Sequence, residues 1–476
     1  MKKQMSLLLA AAMLTGSLTA CSGNATTSGV SSGSSTSGAA PRTSSATSSV
    51  PSYNDLKVGE DYTDIKAELR VITQRTDLID NVFAEYVSDF NQLYPNIKIN
   101  YEGITNYGED MTTRISSKNW GDVCMIPTTI LLPDLYLYFH PLCSLDEIKD
   151  TYNFASNRAY DGSVFGIPST GNAQGIVYNK AVAEKAGYSA DETKGLKPLP
   201  KTPDEFLQFL QDIKDNTDAI PLYTNFADNW PMGAWDAYIG GGATADADWM
   251  NITMPQTKDP FADRGNGTGP YVPYYILYEA VKRGLTEESP TATDWEGCKP
   301  MMNNGQIGVL VLGSWAVIQM QQAGPNAADI GYMPFPITQP DGKMYASAGA
   351  DYCFGVNKNI SDNNKIASML YIKWFTEFSK FSYDQGGIPI LKTEEYPDTL
   401  SSFEGIELIE DTPAPNDLAE LQPLVNRESE ISLNMDNTHV QRIVEAVVTG
   451  KETLEDIIND WNSRWNQAVE RYAPQQ

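Results

Sequence analysis

The sequence predicts an α/β fold built on mainly parallel sheet, and three observations predict it. Residues 303–336 contain an unbroken apolar run, Ile307 to Leu312, the length of a strand buried on both faces and too short to cross a bilayer. A Gly313-Ser314 turn, a helical stripe at Ala316, Val317 and Met320, a Gly324-Pro325 stop and a short strand from Ile330 to Met333 complete a strand–helix–strand unit. Residues 68–126 hold two further strand–helix units in succession, which implies parallel pairing. With 41% hydrophobic side chains, the 476 residues suit two or three folded units at ~150 residues each.

The N-terminus reads as an export signal. Met1-Lys2-Lys3 is a charged start, Met5 to Leu14 an apolar core too short to span a membrane, and small residues precede Cys21. Leu18-Thr19-Ala20-Cys21 resembles the bacterial lipobox, in which the cysteine is acylated and becomes the new N-terminus; the alternative is a secretory signal with an incidental cysteine. Residues 22–52 are a Ser/Thr/Gly tract with almost nothing to bury. As a coil, such a tether reaches roughly 30 Å. The formal charge is −27, and −29 once residues 1–20, with Lys2, Lys3 and no acid, are removed. That balance repels nucleic acid and anionic membrane, but not a neutral ligand.

Cys124, Cys143, Cys298 and Cys353 show no Cys-x-x-Cys spacing, so buried free thiols are expected, although an exported location permits a disulfide. The two histidines, His140 and His439, lie far apart, and neither a histidine-based zinc site nor any cofactor is expected.

Along the chain, the folded body is expected to begin near Tyr62. A first strand at residues 68–73 ends in Gln74-Arg75-Thr76-Asp77, and Val82, Phe83, Tyr86, Phe90 and Leu93 then recur at helical spacing. Arg75 and Asp77 therefore lie on a strand-to-helix turn, placed either to bind a ligand or to form a surface ion pair or helix cap. Strands at residues 97–101 and 123–126 flank a helix at residues 111–117. Thr202-Pro203-Asp204-Glu205 is a capping box with proline in the first turn, launching a helix with Phe206, Phe209, Leu210 and Ile213 on one face. The loop from Thr224 to Trp235 mixes Asn225, Asp228, Trp230 and Trp235, flat rings beside planar polar groups of the kind that suit a sugar's C–H faces and hydroxyls. Asp294-Trp295 opens another helix, with Trp295 a weaker candidate for the cleft. Trp315 stands where a strand leaves the sheet, at a cleft mouth or as a core plug. After Ala346-Ser347-Ala348-Gly349-Ala350, Asp351 and Tyr352 supply an acceptor and a ring. Glycine clusters at residues 240–242 and 265–269 lack the Gly-Lys-Ser/Thr context of a phosphate loop.

The order Phe139-His140-Pro141-Leu142, Tyr160-Asp161-Gly162, Val164-Phe165-Gly166-Ile167-Pro168, Val177-Tyr178-Asn179-Lys180, Lys185-Ala186-Gly187 and Pro203-Asp204-Glu205-Phe206 resembles the extracellular solute-binding proteins of carbohydrate ABC importers, the group of maltodextrin-binding protein. The Gly-Ser-Trp at residues 313–315 and Pro334-Phe335-Pro336 fit the same pattern. The resemblance spans residues 65–470 and implies a two-lobed, periplasmic-binding-protein-like (Venus flytrap) fold with several interlobe crossovers. Lobe one would take residues 62–170 and 337–385 and lobe two 171–336 and 386–476, after a signal peptide at 1–20 and a linker at 21–61. It implies a monomer, not an enzyme, lipid-anchored through Cys21 on the outer face of the cell membrane, that closes on an oligosaccharide and docks on the membrane permease. Arg75, Asp77, Asp351 and Tyr352 would come from one lobe; Trp230, Trp235 and Trp315 from the other, with Asn225, Asp228 and Trp295 nearby. Two rival classes remain: a surface-anchored glycoside hydrolase, needing two carboxylates ~5–10 Å apart, and a binding protein for peptides, amino acids or polyamines.

Overall fold

The computed structural model describes residues 50–105, 107–435 and 437–473. The expected signal peptide, the lipobox Cys21 and the linker up to residue 49 lie outside the described residues. The strands are β1 (Ala67–Thr73), β2 (Ile97–Gly103), β3 (Val123–Met125), β4 (Cys143–Ser144), β5 (Ala159–Tyr160), β6 (Ser163–Val164), β7 (Gly166–Pro168), β8 (Gly171–Asn179), β9 (Ile220–Leu222), β10 (Ile307–Gly313), β11 (Ile330–Pro334), β12 (Tyr345–Ala350), β13 (Cys353–Val356) and β14 (Glu407–Glu410). They form a five-stranded sheet in the order β2-β1-β3-β13-β7, a six-stranded sheet β14-β12-β8-β10-β9 with β11 also on β8, and a small sheet β4-β6-β5.

Strand directions bring one end of each large sheet together. In the first sheet β1 is parallel to β2 and β3, while β13 runs against β3 and β7. In the second, β8 runs against β10, β11 and β12, with β9 parallel to β10 and β14 parallel to β12. Only Ser169-Thr170 separates β7 from β8, and only Asp351-Tyr352 separates β12 from β13. The carboxyl ends of β1, β3 and β7 therefore face those of β9, β10, β12 and β14 across two short crossovers. Asp351 N–H donates to Thr170 O (2.8 Å) and Ser169 N–H to Tyr352 O (3.0 Å), so the crossovers lie side by side. A third crossing leads from Ile388 and Leu391, bridged to Gly171 and Tyr152, to Phe403, whose ring stacks on Tyr332 at 5.2 Å.

The apolar run at residues 307–312 is β10, buried at all seven positions. Leu310 and Leu312 enter one core cluster, and Val309 and Val311 the other, as expected for a strand covered on both faces. The capping box closes as the sequence predicts, with Thr202 and Glu205 each accepting from the other's backbone N–H at the start of the helix Pro203–Asn216. The closing helices, Thr438–Thr449 and Leu454–Tyr472, bury Trp461 and Trp465 completely.

Two expected boundaries need correction. The folded body begins by residue 50 rather than near Tyr62: Tyr53 is fully buried, its N–H donates to Leu142 O (2.8 Å), and the Lys373 ammonium sits 4.8 Å from its ring centroid. Lys373 pairs with Glu377 at 2.7 Å, and Glu377 accepts from the Tyr152 hydroxyl. A single tyrosine at the end of a polar tract gave no periodic signal of this anchoring. Residues 345–350, assigned above to lobe one, pair as β12 with β8 and β14 of the second sheet, so the chain crosses at Asp351-Tyr352. The four described cysteines are free and buried. No helix among the described residues is long and apolar enough to cross a membrane.

At the centre of β8, Gly175 leaves no room for a side chain: a Cβ there would lie 2.5 Å from Met333 O, 2.8 Å from the Phe403 ring and 2.9 Å from the Tyr332 ring. Gly175→Ala is expected to destabilise the protein by ~1–3 kcal/mol, read as a lower denaturant midpoint with an unchanged slope.

Candidate functional site

Beyond the carboxyl ends of the second sheet, three tryptophans converge from separate segments. Trp315 follows β10 and begins the helix Trp315–Gln322; Trp295 begins the helix Trp295–Asn303; Trp230 begins the 3-10 helix Trp230–Tyr238 after the loop leaving β9. Their ring centroids lie 4.9 Å apart (Trp230 to Trp295), 5.7 Å (Trp230 to Trp315) and 5.7 Å (Trp295 to Trp315), at interplanar angles of 77°, 43° and 56°. None stacks face to face, and Trp230 is 48% exposed. The cluster is an aromatic wall with free ring surface, which a core plug would not keep.

Local chemistry holds each ring. Asp228 accepts from Trp295 N–H at 2.6 Å, and Asp294 caps the same helix through Gly297 N–H. Lys299, one turn on, lies 4.8 Å from the Trp295 ring centroid and pairs with Glu296. The indole of Trp315 folds back over Gly313: a Cβ there would lie 2.7 Å from Nε1 and 3.1 Å from Gln174 Oε1.

From the first sheet, Arg75 reaches out after β1. Its Nε and Nη2 donate to the two carboxylate oxygens of Asp77 at 2.9 and 2.8 Å, and Nη2 also donates to Gln385 Oε1 at 3.0 Å. Burial raises the Asp77 carboxyl, but the bonds and charge of Arg75, with Lys299 beyond, outweigh it and hold Asp77 below the usual carboxylate range. Lys299 stands on the helix that begins with Trp295, so the polar rim of one sheet lies within electrostatic reach of the aromatic wall of the other. Asp351 is raised by burial, with Arg75 opposing, and Tyr352 is raised by burial with its ring edge-on to Tyr107 at 5.5 Å.

Two expected site residues are elsewhere. Trp235 is 1% exposed and packs edge-on against Phe335 in the second core, so it offers no platform. Asn225 is also 1% exposed, in a left-handed conformation (φ 57°), and does not open to the rim. Asp228, half-buried, is committed to Trp295 and acts by positioning it. The sequence reading missed Gln174, Gln385, Lys299, Arg158 and Asp411. Of these only Lys299 carried a local signal, standing four residues after Trp295 on one helix face.

Asp411 follows β14 in a stretch read only as irregular and acidic. Its Oδ1 is buried with no partner, and burial, with Glu410 adding, pushes the carboxyl up to about 7. On the same side, Asn416 Nδ2 donates to Asp161 at 3.3 Å, linking the two halves. Among the described residues no group of three or more His, Cys, Asp or Glu is placed to hold a metal ion.

Bacterial extracellular solute-binding protein is the family whose pattern matches residues 76–377, well over half the chain. The chain belongs to that family. Among solved structures, this solute-binding protein is similar to the binding protein of an ABC transporter from Bifidobacterium animalis subsp. lactis in complex with mannobiose: 43% identity, TM-score 0.84, covering 88% of this chain and 99% of that one. A manno-oligosaccharide specific solute-binding protein of the same organism, in complex with mannotriose, is 41% identical with a TM-score of 0.83 over 88% and 99% of the two chains. The multiple sugar-binding protein of Streptococcus mutans is 22% identical over 345 residues, 68% of this chain and 75% of its own. The solute-binding fold is two-lobed, one large sheet to each lobe, and the aromatic wall and the polar rim lie where the lobes meet.

Two outcomes check this geometry. Gly313→Ala should displace the Trp315 indole and shift the intrinsic fluorescence maximum without loss of cooperative unfolding. For Asp411 the folded value of about 7 exceeds an unfolded value near 3.9. Its stabilising contribution is therefore complete below pH ~4 and lost as pH rises to about 7. Asp411→Asn should abolish that loss, so its Tm should exceed the wild type's by a few degrees above pH 7 and converge with it near pH 4.

Proposed function

We propose that this solute-binding protein captures a neutral manno-oligosaccharide between its lobes and delivers it to the permease of an ABC importer. The observation that carries the reading is the aromatic wall of Trp230, Trp295 and Trp315 opposite the polar rim of Arg75, Asp77 and Asp351. Sugars need flat apolar surface for their C–H faces and fixed hydrogen-bonding groups for their hydroxyls, and this pairing supplies both. Two similar structures, at 43% and 41% identity, hold mannobiose and mannotriose, which favours mannose-containing ligands. Peptides, amino acids or polyamines would call for unpaired charges opposite the ligand's own, whereas the three rings carry none and Arg75 and Asp77 on the rim are paired with each other.

Closure is hinge-like. The crossovers at Ser169-Thr170 and Asp351-Tyr352 and the third crossing after Leu391 carry the motion, and the ligand favours the closed form by its differential affinity for it. Lobe one takes residues 50–170 and 351–391, and lobe two 171–350 and 398–473. The protein works as a monomeric binding protein rather than an enzyme, exported by the signal at residues 1–20 and held on the outer face of the cell membrane by acyl chains on Cys21. Two or three such chains suffice for stable anchoring.

Calorimetric titration with mannobiose, mannotriose and matched gluco-, malto- and chito-oligosaccharides tests the ligand class. Mannotriose at 100 times its dissociation constant should add ~2.7 kcal/mol of stability and leave the sugar uncleaved on prolonged incubation. Trp315→Ala should weaken binding at least ~30-fold, about 2 kcal/mol, with cooperative unfolding retained. Cleavage would favour a hydrolase, and silence toward every glycan would overturn the sugar reading.

A further inference from the structure

Among the described residues, Arg158 has neither an ion-pair nor a side-chain hydrogen-bond partner. Arg158 lies just before β5, and its Cβ packs over Gly166 of β7, where a Cβ would come within 3.0 Å of it. Its Nε is buried without a hydrogen bond, and among the described residues no carboxylate lies within 4.0 Å of the guanidinium. The charged groups of its neighbours do not compensate it: its electrostatic neighbours are Cys353 and Tyr352, both pushed up by burial and so uncharged. Desolvation moves Arg158 itself downward.

The surroundings put this fork at the junction of the lobes. Asn157, the residue before it, accepts from Cys353 Sγ at 3.4 Å, and Asp161 accepts from Asn416, beyond β14, at 3.3 Å. Tyr352, within electrostatic reach of Arg158, belongs to a crossover. In the first sheet β7 stands three strands from β1, about 14 Å. Arg158 and Arg75 therefore address different parts of an extended ligand. Nε is out of water and unpaired while the side chain as a whole is only partly buried, and a planar fork held in this way suits two adjacent acceptors.

We infer that Arg158 is a ligand-binding residue whose fork donates to two vicinal hydroxyls of the bound oligosaccharide, on the flank opposite Arg75. The inference rests on the sugar-binding reading above. The acceptors are the hydroxyls that a neutral oligosaccharide offers, and a carboxylate-bearing sugar is the alternative the experiment separates.

Mannotriose is titrated into wild type, Arg158→Gln, Arg158→Lys and Trp315→Ala, and each unliganded protein is melted. Arg158→Gln should bind at least ~30-fold more weakly and Arg158→Lys should fall between, since lysine keeps the charge and loses the fork. Both should melt, unliganded, at or above the wild-type temperature, because no native bond is removed. If Arg158→Gln folds poorly, Arg158→Lys alone decides by its affinity and Tm. Affinity within twofold of wild type, or a lowered unliganded Tm with affinity kept, overturns the assignment. So does tighter wild-type binding of trimannuronate than of mannotriose, which would make Arg158 a carboxylate receptor. A wild type that binds mannotriose with Trp315→Ala weakened and Arg158→Gln unchanged refutes this inference alone. A wild type that binds no glycan refutes the functional reading and this inference together.

Discussion

Two backbone hydrogen bonds, Asp351 N–H to Thr170 O and Ser169 N–H to Tyr352 O, tie together the crossovers on which the architecture rests. Because each crossover is two residues long, the strands on either side cannot diverge far before they enter different sheets. The carboxyl ends of both sheets are forced into one region, and loops leaving them have nowhere else to go. Asp351 shows how closely crossover and site are joined: its N–H belongs to the crossover pairing, while its half-buried side chain lies in the field of Arg75. A ligand that engages that carboxyl acts directly on the strand junction.

Much of the fold was legible because its signals were local. β10 was readable from an apolar run that no surface strand would carry, and the helix at Pro203–Asn216 from a capping box whose two bonds form within four residues. The loop after β9 shows where such reading fails. Trp230 and Trp235 look alike in sequence, but they share one 3-10 helix at about three residues per turn. Five residues round, Trp235 points two-thirds of a turn away from Trp230, into the core. Arg158 and Asp411 were illegible for another reason: their surroundings are built by residues far away in the chain, and no spacing announces them.

The charge of the whole chain and that of the cleft are separate matters. A chain of formal charge −27 nevertheless brings Arg75, Arg158 and Lys299 to the lobe junction, interleaved with Asp77, Asp351, Glu410 and Asp411. At short range in partly buried surroundings, neighbouring charges outweigh distant ones screened by solvent. The mixture offers donors and acceptors at close spacing while keeping the local sum near neutral.

The strap around Tyr53 has a mechanical consequence. Its contacts, to Leu142, Tyr152 and Lys373, all lie on the lobe built around the first sheet. Any pull transmitted along the chain from before residue 50 is thus delivered to that lobe alone and never loads the crossovers. The second lobe lies off that load path, so tension applied at the strap would add no work to a relative movement of the two lobes.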